Sequence, residues 1–599
     1  MHRRSFLAAS AAAGLLSVPG APARAGDQTG DARLDALLAR QFEARLDDSP
    51  EGATDLGLDV GARAGQRARL DARSTEAALA AQARSARFLA ELRAFDPSGL
   101  SAAGRLNYDI AEYELSTWAA YARFPYHRAE DWRLSPYVVS QIGGAYAVVP
   151  DFLDTSHRIE VRADAEAYLS RLRAFAVALD EDTARMRENA AMGAAPPDFI
   201  LDGALRQLRA LRDGPARDKA VVRSLARRAA EKGLDGYGPR AAALFEGPVT
   251  SALTRQIQTL EQLQKDAVHV AGIDRVPDGD AYYALNLRAY TTTDYSADEI
   301  HRIGLDQVGE LQGRLDRLLR AQGYSEGTVG ERINGLNREP RFLFANTDAG
   351  RAELLAYLNV EMAEIRALMP SVFETLPRGA FEIRRIPPEI QDGAPGGYAA
   401  AGSLDGVRPG AYYINLKDTE DWPRWGLKTL TYHEAAPGHL FQGALAREAG
   451  ELPLYRKVGG WSAYAEGWGL YSERLADELG VYEDDPFGRI GYHQSFLFRA
   501  VRLVVDTGLH SRGWSREQAI RYMVENAAEP LNRAEREIER YCAAPGQACA
   551  YKLGEIEISR LRAEAERRSD FDLKRFHSAL LLGGAMPLAI LRRRVLSRG

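Results

Sequence analysis

Amphipathic helical periodicity runs through most of this chain and constrains its fold more than any other feature. Apolar residues recur every three or four positions in segments such as 74–95 and 164–189, a spacing that places them on one face of a helix. Ser296, followed three residues later by Glu299, predicts a capping box at the start of a further helix. We therefore expect a mainly α fold.

Strand signals are confined to one window, just ahead of the residues that carry chemistry. The segment 381–386 alternates apolar and polar residues and ends at two prolines. Segments 398–403 and 411–416 flank a turn that contains Asp405 and Gly406, a pattern typical of a hairpin. The sequence thus predicts one small hairpin or sheet beside the helices.

Charge and hydropathy exclude two classes of protein. The 77 basic and 83 acidic residues nearly balance, and no basic stripe interleaved with aromatic residues is present, so we expect no nucleic-acid partner. No internal stretch reaches the roughly 18 apolar residues that a membrane span needs. A polytopic membrane protein is therefore excluded.

The first 25 residues have the layout of an export signal. Arg3 and Arg4 precede an apolar run over 6–18, and Ala23 and Ala25 supply small residues for signal peptidase. This layout is typical of a secretory signal, and the paired arginines resemble the twin-arginine subtype. We expect a periplasmic or secreted protein without stable membrane insertion after cleavage; the alternative is an uncleaved N-terminal anchor.

The chain has two cysteines, Cys542 and Cys549, which are seven residues apart. An exported protein meets an oxidising compartment, which permits a disulfide. Folding before export would instead leave two free thiols. The sequence does not decide between these alternatives.

The segment 430–439 carries the strongest chemical signal. His433, Glu434 and His439 resemble the arrangement in which two imidazoles bind Zn²⁺ and the intervening glutamate acts as general base. Here the second histidine is at position i+6, which on a regular helix lies about 240° from position i. Pro437 and Gly438 fall in this gap, and we expect a bulge there to bring His439 back toward His433.

A carboxylate 27 residues after His439 completes the candidate ligand set. Glu466 lies in a predicted helix among aromatic residues, where a buried carboxylate needs a cation or another partner. Glu473, seven residues later on the same helical face, is either an acceptor for a ligand histidine or a plain salt-bridge residue.

Two further residues are candidates for stabilising a developing oxyanion. His510 follows Asp506 and Thr507 in one apolar segment, and Tyr551 follows a Pro-Gly turn. Tyr and His donors perform this role in zinc hydrolases. The alternative for each, which the sequence by itself favours, is a satisfied core residue near a helix–helix contact.

Taken together, these motifs resemble the domain of unknown function 885 family. Its hallmark, His-Glu-x-x-Pro-Gly-His, stands here at 433–439, with Leu440 where relatives often have another histidine. The segments 466–471, 506–514 and 541–554 are also similar, and the likeness extends over most of the chain. The resemblance implies a two-lobed, zincin-like helical fold with a deep cleft, similar to thimet oligopeptidase or carboxypeptidase.

The resemblance also implies a domain division and a function. Residues 26–280 would form an N-terminal helical lobe and 281–599 a catalytic lobe. His433, His439 and Glu466 would bind Zn²⁺, with Glu434 as base and Tyr551 or His510 as oxyanion donor. We expect a monomeric zinc metallopeptidase acting on small or unfolded peptides.

Within such an enzyme, we expect the hairpin to offer an edge strand to an extended peptide, with Tyr412, Tyr413 and Asn415 on it. Two alternatives to the peptidase remain open. The same residues could hydrolyse a non-peptide or modified amide, or the metal site could be catalytically dead.

Overall fold

The computed structural model describes residues 29–127, 134–388, 391, 396–404, 406–450 and 452–597. Over these residues the chain is mainly helical with a single three-stranded sheet. The predicted mainly α fold with a small sheet is confirmed. The predicted signal, 1–25, and Asp405 of the predicted turn lie outside the described residues.

The helices of the described residues account for most of the chain. In order they are α1 (Gly30–Asp47), α2 (Pro50–Leu56), α3 (Thr75–Arg93), α4 (Ala102–Tyr121), α5 (Ala145–Thr155), α6 (Arg162–Ala191), α7 (Asp198–Arg212), α8 (Ala220–Glu231), α9 (Tyr237–Leu244), α10 (Thr250–Gln264), α11 (Gly279–Thr291), α12 (Ala297–Ala321), α13 (Val329–Leu336), α14 (Asp348–Leu368), α15 (Arg424–Glu434), α16 (His439–Glu448), α17 (Leu454–Lys457), α18 (Ser462–Glu478), α19 (Pro486–Ser511), α20 (Arg516–Ala527), α21 (Leu531–Ala543), α22 (Cys549–Ala565), α23 (Leu573–Leu581) and α24 (Leu588–Ser597).

Side-chain caps set several of these helix starts where the sequence predicts them. The Ser74 hydroxyl accepts a hydrogen bond from the Ala77 N–H at the start of α3. At the start of α12, Ser296 and Glu299 form the predicted capping box. Each cap satisfies N–H groups that the first helical turn leaves without partners.

Two large apolar clusters form most of the described core. One spans elements from α4 to α24, and the other lies within 139–260 and joins α5 to α10. Ile110 and Tyr121 of α4 belong to the first cluster, together with residues of α18, α19 and α22. α4 contacts α11, which in turn contacts α18, α19 and α22. An N-terminal helix therefore joins the core of the motif helices through α11, while a boundary at residue 280 stays a prediction.

The sheet consists of β1 (Phe381–Arg385), β2 (Gly397–Ala400) and β3 (Gly410–Ile414), in the order β1-β3-β2. β2 and β3 pair antiparallel, as the hairpin prediction requires, and β1 pairs parallel with β3. The predicted edge position of Tyr412 and Tyr413 is wrong. Both main-chain sides of β3 are occupied by β1 and β2, so β3 is the central strand.

Successive side chains of β3 point to opposite faces of the sheet and pack in two different apolar clusters. Tyr412 and Ile414 belong to the main core, whereas Ala411 and Tyr413 pack with Ile386 on the other face. The helix α16 packs against β2 and β3. Among the described residues, no helix combines the length and apolar character that crossing a bilayer requires.

Candidate metal centre

The motif lies where one helix ends and another begins. α15 ends at Glu434 and α16 begins at His439, with 435–438 between them. The expected bulge within a helix is therefore wrong: the chain leaves one helix and starts a second. Pro437 has no N–H with which to continue α15, and a Cβ on Gly438 would stand 1.8 Å from the His433 carbonyl oxygen.

The break brings the three predicted ligands together. The rings of His433 and His439 have centroids 4.7 Å apart and planes at 86°. Glu466 Oε2 lies 3.5 Å from His433 Nε2 and 3.3 Å from His439 Nε2. One candidate ligand atom of each residue lies within 4.8 Å of the other two.

Glu466 Oε2 is buried and has no hydrogen-bond partner among the described residues. Its ion-pair contacts with the two imidazoles fall outside hydrogen-bond geometry, and the three candidate ligand atoms lie within 4.8 Å of one another. A buried carboxylate oxygen without a donor is costly. Two imidazole nitrogens with one carboxylate oxygen form the ligand set of catalytic zinc sites, so the residues fit this metal.

Glu473 fixes the orientation of one ligand. Its Oε1 lies 2.8 Å from His433 Nδ1, and its side chain is fully buried. Of the two roles that the sequence left open for Glu473, the structure therefore shows direct contact with a candidate ligand. Because Glu473 contacts Nδ1 of His433, the other ring nitrogen, Nε2, faces Glu466. Burial disfavours protonated His433, but the carboxylates of Glu466 and Glu473 outweigh this effect and raise the pKa of His433 to about 9.

Two glycines of α18 allow the close approaches that build the site. A Cβ on Gly469 would stand 2.6 Å from His433 Cε1, and one on Gly467 would stand 2.4 Å from the Gly554 carbonyl carbon. Gly469 thus makes room for the ligand ring. Gly467 and Gly554 let α18 and α22 pack backbone to backbone.

That helix contact places Tyr551 of α22 beside the cluster. Burial raises the pKa of Tyr551, and the charge of Glu466 raises it further. The Tyr551 ring also stacks against the Arg502 guanidinium, 4.4 Å from its centroid. Tyr551 therefore lies within electrostatic reach of a candidate ligand, with its hydroxyl held protonated.

Glu434 and Tyr412 meet on the sheet side of the site. Glu434 is half-buried at the end of α15. Burial, and then the charge of Glu434, raise the pKa of Tyr412 well above its usual range. The Tyr412 hydroxyl is buried without a hydrogen-bond partner among the described residues. The sequence pattern placed Tyr412 in a strand but gave no signal that it approaches Glu434.

His510 lies in different surroundings. Its Nδ1 accepts from the Ile273 N–H at 3.2 Å, its Nε2 lies 3.1 Å from the Tyr541 carbonyl oxygen, and burial lowers its pKa to about 4. Nearby, Asp506 accepts hydrogen bonds from the Tyr283 hydroxyl at 2.6 Å and the Gly546 N–H. We call Asp506, His510 and Tyr283 the closed network.

The two cysteines are buried free thiols, which settles the alternative that the sequence left open. Cys549 belongs to the surroundings of Asp506, and burial raises the pKa of both Cys542 and Cys549 well above the usual thiol range. Neither thiol is exposed to solvent.

A cavity of about 550 Å³ opens on Glu466. Its wall combines N-terminal helices with α11, α18 and the segment that precedes α18. Trp118 of α4 and Trp461 are among its lining residues. The sequence analysis missed the α4 contribution, because no motif links a helix at 102–121 to a cluster more than 300 residues later.

The fold and this cluster define a class: a mainly helical protein with a candidate mononuclear centre of two histidines and one glutamate. The chain belongs to the family described as "Bacterial protein of unknown function (DUF885)", whose model matches residues 50–595. The family resemblance seen in the sequence is confirmed.

Solved structures of similar proteins share the architecture. A protein from Colwellia psychrerythraea, described as a "putative lipoprotein", is 37% identical; the match covers 95% of this chain and 99% of that one, with a TM-score of 0.91. A "putative lipoprotein of unknown function" from Shewanella oneidensis is 19% identical, with coverages of 94% and 99% and a TM-score of 0.69; this second likeness concerns the fold alone. No curated protein matches the chain.

Proposed function

We propose that this protein is a zinc-dependent peptidase that hydrolyses small or unfolded peptides. The observation that carries the proposal is the convergence of His433, His439 and Glu466, whose buried Oε2 has no hydrogen-bond partner within the described part of the chain. Glu434, beside the first ligand in the chain, supplies the acid–base group that such a site needs for hydrolysis.

In this proposal the chain's own residues position and move protons. Zn²⁺, when bound, lowers the pKa of a water molecule and polarises the scissile carbonyl. Glu434 accepts a proton from the attacking water and returns it to the leaving amine nitrogen. Glu473 holds the proton at His433 Nδ1, which keeps Nε2 available as a ligand atom.

Tyr551 is the better candidate of the two predicted oxyanion donors. Its half-buried side chain lies within reach of the Glu466 charge. His510 already uses both ring nitrogens in main-chain hydrogen bonds. We therefore assign the donor role to Tyr551 and a structural role to His510.

We further propose the finer features that the family resemblance implies. These are a zincin-like arrangement, a lobe of residues 26–280, and a catalytic lobe of residues 281–599. The broken α15–α16 pair, the third ligand on α18 and the sheet packed on α16 support this arrangement. An extended peptide would pair with an outer strand, β1 or β2, rather than with β3.

We also propose that the chain is exported and works as a monomer on peptide substrates, without nucleic-acid partners or stable membrane insertion. The arginine pair and apolar run before residue 25 support export. The Colwellia relative is described as a "putative lipoprotein", but both cysteines of this chain are buried, so neither is exposed for lipid attachment.

Digestion of a peptide library tests the proposal. The wild-type protein reconstituted with Zn²⁺ should cleave peptides, and the Glu434→Gln variant should retain the metal while its rate falls by about 10²–10⁴. Glu420→Gln, an exposed change outside the cluster, is the matched control and should cleave normally.

Two outcomes would reject this proposal. Full activity of Glu434→Gln would remove Glu434 as the base. If no peptide were cleaved but modified amides were hydrolysed in a Glu434-dependent way, the alternative amide hydrolase would replace the peptidase.

A further inference from the structure

The cavity beside Glu466 shares a wall with the candidate metal centre. We propose that it receives a bulky apolar side chain of the substrate, so that the enzyme selects peptides with an aromatic or large aliphatic residue next to the scissile bond. This inference rests on the proposed peptidase function and adds a substrate class to it.

Position is the first argument. Glu466 is at once a candidate metal ligand and a residue of the cavity wall. Trp461 and Ala465, on either side of the start of α18, also line the cavity. The cavity and the candidate metal centre therefore share Glu466, which places the side chains next to a peptide bond held at that centre beside the cavity wall.

Volume and lining are the second argument. Ligand pockets typically measure about 300–1,000 Å³, and this cavity measures about 550 Å³. Its wall is mainly apolar, with aromatic rings from several separate segments, among them Phe88, Trp118, Tyr290 and Trp461. Aromatic rings in such a wall pack well against another ring or a large aliphatic group.

Charge is the third argument. The charged side chains in the wall are two arginines and two glutamates, which balance. Arg45 pairs with Glu114 at 2.6 Å, and Arg456 donates to Asn107 at 3.0 Å and to the Gly583 carbonyl at 2.6 Å. Glu466 is the proposed metal ligand, and the Arg456 N–H groups are taken by neutral acceptors. A charged substrate side chain would therefore lose its hydration without gaining a free hydrogen-bonding partner, so the wall favours a neutral one.

Filling the cavity tests the inference. Ala111 of α4 lines the cavity, whereas Ala120 of the same helix is exposed and outside the wall. Ala111→Phe should lower kcat/KM for peptides with Phe beside the cleaved bond at least tenfold relative to peptides with Ala there. Ala120→Phe should leave this Phe-to-Ala ratio unchanged. Ala289→Phe fills the same cavity from α11 and serves if Ala111→Phe does not fold.

A binding measurement on the metal-free protein separates this inference from the peptidase proposal. N-acetyl-phenylalanine amide should quench tryptophan fluorescence saturably, since Trp118 and Trp461 line the cavity. N-acetyl-alanine amide should bind at least tenfold more weakly, and both filling variants should lose the phenylalanine response.

The cleavage and binding results together decide between the pocket and the peptidase proposals. Selective binding without cleavage of any peptide would keep the pocket and reject the peptidase. Peptide cleavage with an unchanged Phe-to-Ala ratio in the filled variants, or equal binding of the two amides, would reject the pocket. Absence of both binding and cleavage would reject both.

Discussion

The candidate metal centre, which is partly buried, and the closed network, which is fully buried, are both rich in ionisable groups, and both contain histidines that stand out in the sequence. They differ in whether their buried polar atoms have hydrogen-bond partners in the protein. In the closed network Asp506 and His510 have protein donors and acceptors at 2.6–3.2 Å. In the candidate metal centre Glu466 Oε2 has no hydrogen-bond partner among the residues that the structure describes.

This difference shows how to tell a structural polar cluster from a site that is built for a ligand. A cluster that satisfies itself gains stability from its own hydrogen bonds. A cluster that leaves a buried acceptor unpaired would gain stability from a cation or a donor supplied by a ligand. Variants in the closed network should therefore change stability, and variants in the metal centre should change metal binding and rate.

The largest expected effect concerns Asp506. Burial raises the pKa of Asp506 to about 7, against hydrogen bonds from Tyr283, Gly546 and Cys549 and the charge of Arg540. Because the native state binds this proton more tightly than the unfolded state, the stability due to Asp506 falls as pH rises from about 4 to about 7.

Asp506→Asn removes this titration. The difference in unfolding free energy between Asp506→Asn and wild type should change by up to about 4 kcal/mol over that pH range, at about 1.4 kcal/mol per pKa unit. Urea unfolding at several pH values measures it. A difference that does not vary with pH would contradict the closed environment, and a loss of Zn²⁺ binding in folded Asp506→Asn would contradict its separation from the metal centre.

Next in size is the loss of the proposed oxyanion donor. Tyr551→Phe should lower kcat about 10²–10³-fold while Zn²⁺ binding and thermal stability stay near wild type. Tyr522→Phe, which changes a half-buried tyrosine on α20, is the matched control. Equal kcat values for Tyr551→Phe and wild type, measured on one cleaved peptide, would exclude Tyr551 from the reaction.

A smaller effect is expected at Glu473. Glu473→Gln weakens the contact with His433 Nδ1 and should lower Zn²⁺ affinity about 10–100-fold. Glu478→Gln, on the same helix but paired with Arg474 and Arg562, should not change the affinity. Competition with a chelator of known affinity measures both variants. An unchanged Zn²⁺ affinity in Glu473→Gln would show that Glu473 does not support the ligand His433.

The smallest effect is expected at an exposed cluster around His269, which lies outside both the candidate metal centre and the closed network. His269 contacts Asp198 at 2.8 Å and Glu517 at 3.0 Å, and hydrogen bonds to these carboxylates raise the pKa of His269. The stability it contributes is present at low pH and disappears as pH rises through that raised value.

Because the His269 side chain is half exposed, its contribution should stay below about 1 kcal/mol. His269→Gln should lower the unfolding free energy by this amount at pH 5.5 and leave it unchanged at pH 8.5. A larger loss at pH 8.5 than at pH 5.5 would reverse the predicted sign.

The sequence predicts regular elements and local chemistry well. Periodicity places α3 and α6, and Ser296 with Glu299 places the start of α12, because caps and amphipathic faces are local properties. The His433–His439 spacing and the aromatic surroundings of Glu466 identify the three residues that the fold brings together.

Non-local geometry is what the sequence does not predict. The helix break depends on a residue without a Cβ at position 438, since a Cβ on Gly438 would stand 1.8 Å from the His433 carbonyl oxygen. β3 becomes central because a strand some 30 residues earlier, β1, pairs on its other side. His510 and Tyr551 look equally suited to an oxyanion role in the sequence. Only the packed structure shows that both ring nitrogens of His510 form hydrogen bonds with main-chain groups.

Zinc titration of three forms of the protein, by calorimetry with metal analysis, tests the central claim most directly. The account predicts one Zn²⁺ per chain for the wild type, loss of tight binding in His439→Ala, and wild-type binding in a folded His510→Asn variant. A wild-type protein that binds no zinc after reconstitution, or an His439→Ala variant that binds it as tightly as wild type, would contradict the account.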